Sequence, residues 1–175
     1  GPNHYEEGER TIQTCDCAYS TVRGELTTDP LVLRDLTKRG VAFLNAGPFG
    51  KEHSLYSHAT FIKTFFPNAK VVPIILKWKT HDEEVDRLVA FLDYMPNKEE
   101  SLLIASVDFS HYLPHLPADF HDQSSFAAIQ GFDYDALKTI EVDSPASLRL
   151  VTRWAELQGL NNVSQLSHTN SQDFF

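Results

Sequence analysis

Two polar residues at the end of an apolar run have the types and the spacing that proton transfer requires. Asp108 and His111 lie three residues apart, directly after Leu102–Val107. Histidine is the side chain best suited to proton transfer near neutral pH, and an adjacent carboxylate can fix its tautomer and raise its pKa. The spacing predicts that both side chains face one cleft. The alternative is that Asp108 is a capping residue and His111 lies on the surface.

A second polar group begins a helical pattern after a loop rich in glycine and proline. Glu52, His53 and Ser54 stand at its start, where a carboxylate is favoured, so Glu52 is predicted to cap the helix. His53 and His58 are five residues apart, about 140° around a helix, and are therefore a poor pair for one metal. The alternative is a purely structural role. His4 lies too near the first residue to be judged by spacing.

The rest of the chain has to supply the elements that position these groups. Val71–Leu76 and Leu102–Val107 are continuous apolar runs, typical of strands buried on both faces. Further strands are predicted over Thr11–Thr21 and Val163–Ser167. Helices are predicted over Asp29–Gly40, Glu52–Phe66, Asp82–Tyr94, Asp119–Gly131, Asp135–Ile140 and Ser144–Leu160. This alternation indicates an α/β fold with a mainly parallel central sheet, in which functional groups gather beyond the carboxyl ends of the strands.

The composition excludes several functional classes. The 175 residues suffice for one domain on the usual scale of ~100–200 residues. They include 24 acidic and 15 basic residues, for a formal net charge of −9, which argues against nucleic-acid binding and against a polybasic membrane-surface protein. The apolar runs are far shorter than the ~20 residues that span a bilayer. No apolar N-terminal segment with a cleavage site marks the chain for secretion, so we expect a cytoplasmic protein.

The two cysteines of the chain, Cys15 and Cys17, are two residues apart. On an extended segment their side chains point to the same face. Bridging so short a loop would be strained, and two thiols are too few for a disulfide scaffold. We therefore expect reduced, intracellular thiols that are buried as small apolar residues. A metal-binding or redox pair is the alternative.

Several segments, taken in order, carry a family resemblance. They are Gly1-Pro2-Asn3-His4, Glu52-His53-Ser54-Leu55, Val72-Pro73-Ile74, the segment from Ser106 to Tyr112, and Trp154–Gly159. Together they resemble the Memo-like family, which in microbes is called protein B of the AmmeMemoRadiSam system. The resemblance covers nearly the whole chain. The Asp-Phe-Ser-His segment combined with Glu-His-Ser is its most specific part.

The resemblance implies a fold similar to that of the class III extradiol ring-cleaving dioxygenases, which are non-haem iron enzymes. The expected architecture is one α/β domain over residues 1–175, a three-layer sandwich with a mainly parallel or mixed central sheet flanked by helices. Relative to the family pattern, the N-terminal strand with its Pro-His-Ala-Gly segment and the closing strand are missing. The chain begins with Gly1 and its only methionine is Met95, so we expect that it is not a complete translation product.

The resemblance also assigns roles to residues of this sequence. His4 matches a metal-ligand histidine, and the metal it implies is Fe(II) or Cu. Asp108 and His111 match the catalytic pair of the cleft, in which the histidine acts as a general base in the dioxygenases. Other residues are expected to line the same cleft, namely Asn3, Glu52, His53 and Tyr112.

One departure from the family pattern yields a hypothesis about the metal. The position of the family's late cysteine falls within residues 142–144, where Asp143 stands. With His4 and the missing upstream histidine, Asp143 would complete a two-histidine, one-carboxylate set, which suits non-haem Fe(II). The alternative is that Asp143 only caps the following helix, with Pro145 in its first turn.

Two functions follow from these assignments. The first is a metal-dependent, dioxygenase-like oxidoreductase or redox protein that acts on a small, aromatic or catecholic substrate. The second is a non-catalytic member of the same fold that binds a ligand or partner, since the family's genomic association implies AMMECR-type and radical-SAM partner proteins. A metal-independent hydrolase using Ser110 and His111 is disfavoured, because adjacent residues rarely reach each other and no glycine elbow surrounds Ser110.

Overall fold

A small mixed sheet and five α-helices make up the computed structural model, which describes residues 1–173. The strands are β1 (Ile12–Thr14), β2 (Tyr19–Thr21), β3 (Gly24–Leu26), β4 (Phe43–Leu44) and β5 (Ile74–Leu76). The helices are α1 (Pro30–Lys38), α2 (His53–Phe65), α3 (Asp82–Tyr94), α4 (His115–Gln130) and α5 (Pro145–Leu157). The α/β class is confirmed.

The central strand β1 has neighbours that run in opposite directions. It is parallel to β4 and antiparallel to β5, and Gln13 is in register with Phe43 on one side and with Ile75 on the other. The strands β2 and β3 form a separate antiparallel hairpin. The sheet is therefore mixed, as expected, while the three-layer sandwich stays a prediction.

The first residues of the chain extend the sheet beyond β5. The backbone amide of Leu76 donates to the carbonyl of Gly1 at 3.0 Å, and the amide of Asn3 donates back to the carbonyl of Leu76 at 2.8 Å. His4 follows this edge directly. The ladder therefore fixes the backbone that presents the His4 side chain.

Local signals determine both ends of α1. The side chain of Asp29 accepts hydrogen bonds from the amides of Leu31 and Val32, and Pro30 occupies the first turn, where a missing amide costs little. Gly40 adopts the left-handed region at φ +66° just after the helix, a conformation typical of helix ends. The predicted N-cap and terminating glycine are confirmed.

The main core lies where α3 and α5 pack together. The apolar stripe predicted for α3 is buried, and it contacts Leu150 of α5 and Leu76 of β5. Its members are Val85, Leu88, Val89 and Leu92. This packing holds the N-terminal end of α5 close to the sheet edge that carries His4.

The segment Leu102–Val107 does not form the predicted buried strand. Its backbone has no regular strand structure, and the side chains of Leu102 and Ile104 are 69 % and 50 % exposed. A strand needs a neighbour about 4.8 Å away with which to exchange hydrogen bonds, and within residues 1–173 no strand pairs with this segment. An apolar run alone therefore misled the prediction.

Other predicted boundaries also changed. Val163–Ser167 is irregular, and Leu166 is 97 % exposed, so the last predicted strand is wrong. The strand at Val71–Leu76 is reduced to its last three residues, and the helix at Asp135–Ile140 to a single 3-10 turn. Within the described chain, no helix has the length and apolar character needed to cross a bilayer.

The expectation of reduced cysteines is wrong in this structure. Cys15 and Cys17 form a disulfide whose Cα atoms are 5.3 Å apart, within the range that disulfides span. Cys15 is fully buried, and both cysteines pack with Phe49 and Ile75. The shared face of the two side chains, which the spacing predicts, brings the two sulfurs together.

Candidate metal centre

The imidazole of His4 is held by a buried carboxylate. Glu52 is the N-cap of α2, has no exposed surface and accepts the backbone amide of Ser54 at 3.1 Å. Its Oε2 accepts the backbone amide of His4 at 2.9 Å, and its Oε1 lies 2.7 Å from His4 Nδ1. A carboxylate beside Nδ1 makes that nitrogen the protonated one and leaves Nε2 free as a ligand atom. The predicted capping role of Glu52 is confirmed.

Asp143 lies on the other side of His4. Its Oδ2 is 3.3 Å from His4 Nε2, and its side chain is 8 % exposed. Its Oδ1 accepts the backbone amide of Asp108 at 3.0 Å. The structure thus brings together the two predicted ligands, His4 and Asp143, although most of the chain separates them.

The alternative role for Asp143, as the cap of α5, is wrong. The N-cap is Ser144, whose hydroxyl accepts the backbone amide of Ser147 at 3.4 Å. The carboxylate of Asp143 therefore points away from the helix and toward His4.

His53 adds a second imidazole to the group. Its ring stacks on that of His4 with centroids 4.3 Å apart, and its Nδ1 is 4.0 Å from Glu52 Oε1. His4, Glu52 and His53 each offer a ligand atom within 4.8 Å of the others. The first residues of α2 and the residue after the sheet edge therefore form a potential metal-binding group.

The two residues of the predicted catalytic pair have different surroundings. Asp108 lines a cavity with His4 and Asp143, whereas His111 is exposed and its Nδ1 lies 2.8 Å from the carbonyl of Phe109. Tyr112, expected in the cleft, is 98 % exposed. The backbone of Tyr112 adopts the left-handed region at φ +62°.

Two cavities meet at His4 and Asp143. One, of about 260 Å³, lies between α2 and residues 105–108. The other, of about 220 Å³, is lined by Asn3 and Trp78 as well. Asn3 is buried, its Nδ2 donates to the carbonyl of Glu7, and its Oδ1 has no hydrogen-bond partner in the described part of the chain. The predicted cleft position of Asn3 thus corresponds to the second cavity.

The two buried carboxylates have opposite electrostatic surroundings. Burial acts to raise the pKa of Glu52, but the hydrogen bonds from His4 and Ser54 outweigh it and lower the pKa. Burial raises the pKa of Asp143 and outweighs the effect of the Asp108 amide, which lowers it. The negative charge of Asp108 raises this pKa further, while His4 and His111 act to lower it. Asp143 is therefore the carboxylate whose charge is less well compensated.

A known protein family matches most of this chain. The model of the family described as "Memo-like protein" matches residues 1–158. The chain belongs to the Memo-like family. A MEMO1 family protein from Caldivirga maquilingensis is 27 % identical over 182 residues, which cover 99 % of this chain and 64 % of that protein. One from Pyrobaculum aerophilum is 28 % identical over 186 residues with the same shares. The chain thus spans 64 % of the length of these relatives.

The side chains of this Memo-like chain fit a metal ion. Asp143 is a buried carboxylate without full charge compensation, and the Nε2 of His4 lies 3.3 Å from its Oδ2. Imidazole together with carboxylate is a donor set that non-haem iron accepts, and imidazole also suits copper.

Sequence reasoning missed two groups of the Memo-like cleft. His58 and Ser106 line the larger cavity, and His58 Nε2 lies 2.9 Å from Ser106 Oγ. The five-residue spacing from His53 addresses His58 only as a second ligand to one metal. Its spacing of four residues from Ser54 places both on one helix face, and this signal would have found it.

Proposed function

We propose that this Memo-like chain forms part of a redox cleft in which His4 and Asp143 bind a non-haem metal, iron or copper. The observation that carries the proposal is the orientation of His4, whose Nδ1 is engaged by Glu52 while Nε2 faces Asp143. Glu52 serves as the orienting group, because both of its oxygens already accept hydrogen bonds from His4. A carboxylate in this position fixes the ring and strengthens the imidazole as a ligand.

The substrate proposed for this cleft is a small aromatic or catecholic molecule. Bound iron or copper would supply the redox chemistry that side chains lack. Asp108 lines the cavity, so its carboxylate is the group placed to accept a proton from a bound hydroxyl. His111, outside the cavity lining, is proposed as a second base that accepts the proton at the cleft entrance.

Metal content tests the proposal directly. We expect stoichiometric iron or copper by plasma mass spectrometry in anaerobically purified protein, and its loss in His4→Ala. The matched control is His81→Ala, since His81 lies at the start of α3 and does not line the cleft. Circular dichroism identifies variants that do not fold. A folded wild type without metal after reconstitution with ferrous or cupric ions would contradict the proposal.

A second function, partner binding by the same fold, is favoured by an apolar helix surface. Phe61 and Phe65 lie one turn apart on α2 and are 64 % and 72 % exposed, and residues at this spacing share one helix face. The partners proposed are the AMMECR-type and radical-SAM proteins. Co-purification with both of them that persists in His4→Ala but fails in Phe61→Ser would support this function over a catalytic one.

A further inference from the structure

His58 lines the larger cavity together with the proposed metal ligands His4 and Asp143. This half-buried residue lies five positions after His53 on α2, a rise of about 7.5 Å along the helix axis. His53 stacks on His4, so it marks the proposed metal end of the cavity. His58 therefore lies further along the same helix and lines the same space.

His58 is held by a partner from a different segment. Its Nε2 lies 2.9 Å from the hydroxyl of Ser106, two residues before Asp108. Within residues 1–173 its Nδ1 makes no hydrogen bond. The ring is thus fixed in orientation at one nitrogen while the other keeps its capacity to donate or accept.

The lining of this cavity is polar. Three histidines, three serines and two aspartates line it, and Ala105 and Val107 are its apolar residues among those described. Its volume of about 260 Å³ is below the ~300–1,000 Å³ of typical, mainly apolar ligand pockets. Such a space suits a small molecule with several hydrogen-bonding groups.

The charges in the cavity favour a hydroxyl over an anion. Asp108 and Asp143 both line it, and two carboxylates repel a negatively charged group. A hydroxyl group can donate to one partner and accept from another. The pair of His58 and Ser106 offers both possibilities.

We propose that His58 and Ser106 form a hydroxyl-binding subsite that positions the end of the substrate remote from His4. This inference rests on the proposed function, because it takes the cavity as the substrate site. His58 acts by holding the substrate and is not a metal ligand. Replacing it therefore weakens substrate binding and leaves the metal in place.

The test compares ligand binding with metal content in the same samples. The probe is catechol, which is uncharged near neutral pH, and toluene serves as the analogue without hydroxyl groups. In His58→Ala and Ser106→Ala we expect the affinity for catechol to fall about two- to tenfold, the value of one neutral hydrogen bond. His58→Gln, which can still bond to a hydroxyl, is expected to retain most of the affinity. Tyr56→Ala, an exposed neighbour on α2, is the control and should change nothing.

The outcomes separate this inference from the proposed function. Unchanged catechol affinity in both His58→Ala and Ser106→Ala overturns the subsite, whatever the metal content. Equal binding of toluene, or no binding of catechol to the wild type, also overturns it. Loss of metal in His58→Ala shows a ligand role and overturns the assignment of His58. Absence of metal in every sample, with His58-dependent probe binding retained, overturns the proposed function alone.

Discussion

Asp108 and Asp143 bind each other through a reciprocal pair of hydrogen bonds. The amide of Asp143 donates to the carbonyl of Asp108 at 3.0 Å, and the amide of Asp108 donates to Asp143 Oδ1 at 3.0 Å. One carboxylate oxygen of Asp143 is thereby committed to the backbone, while the other faces His4. The position of Asp108 on the cavity wall and the orientation of Asp143 toward the proposed metal are therefore coupled.

Substitutions of Asp143 separate its charge from its backbone contact. Asp143→Asn keeps an acceptor for the amide of Asp108 but removes the charge, so we expect a folded protein that has lost its iron. Asp143→Glu keeps the charge and is expected to retain iron. Metal analysis and circular dichroism on the same samples check both. Unchanged metal content in Asp143→Ala would exclude Asp143 as a ligand.

Replacing Glu52 should weaken metal binding through His4. Glu52→Gln keeps the size of the side chain but loses the charge that fixes the His4 tautomer, and losses of such partners typically lower metal affinity about 10–100-fold. Competition with a chelator measures this. The control is Asp29→Asn in the N-cap of α1, which changes another capping carboxylate and should not affect metal affinity. Equal affinities in wild type and Glu52→Gln would contradict the orienting role.

The pH dependence of stability should show the contribution of Asp122. Burial acts to raise the pKa of this residue, but hydrogen bonds from His168 and Ser110 outweigh it and lower the pKa. A carboxyl group with a lowered pKa in the folded state stabilises the protein above its unfolded pKa of about 3.9 and loses this contribution as the pH falls. We therefore expect the free energy of unfolding to decrease as the pH is lowered from about 5 to about 3.

Urea unfolding across this pH range tests the role of Asp122. Asp122→Asn should be less stable near neutral pH by about 1–3 kcal/mol, because it weakens buried hydrogen bonds, and its stability should depend less on pH. Asp135→Asn alters a side chain that is 94 % exposed and should retain the pH dependence of the wild type. Identical pH slopes in wild type and Asp122→Asn would disprove the prediction.

The α3–α5 core should dominate the stability of the fold. Leu88 is fully buried in α3, so Leu88→Ala should lower the free energy of unfolding by about 2–5 kcal/mol. Leu31 on α1 is 64 % exposed, and Leu31→Ala should cost about 0.5 kcal/mol or less. Thermal and urea unfolding measure both. Comparable effects of the two substitutions would show that the core is assigned incorrectly.

Local sequence signals predicted the helices better than the strands. The start of α1 is set by Asp29 and Pro30, and both bounds of α3 agree with the prediction, because caps and an amphipathic stripe are properties of the segment itself. Leu102–Val107 failed because a strand depends on a partner elsewhere in the chain.

In the candidate site, too, local features were predictable from the sequence and long-range contacts were not. Capping by Glu52 is a local property and was predictable. The approach of Asp143 to His4 depends on the packing of α5 against the sheet, and only the family resemblance pointed to it. The contact of His58 with Ser106 joins a helix to an irregular segment, which no spacing rule describes.

The irregular run at residues 102–107 has a consequence for the behaviour of the chain in solution. No strand of the described residues pairs with its backbone amides and carbonyls, and the side chains of Leu102 and Ile104 beside them are exposed. Unpaired backbone groups next to exposed apolar side chains are a template on which a strand can add, from the same molecule or from another. We therefore expect the stretch that leads to Asp108 to be a site at which self-association of this chain can begin.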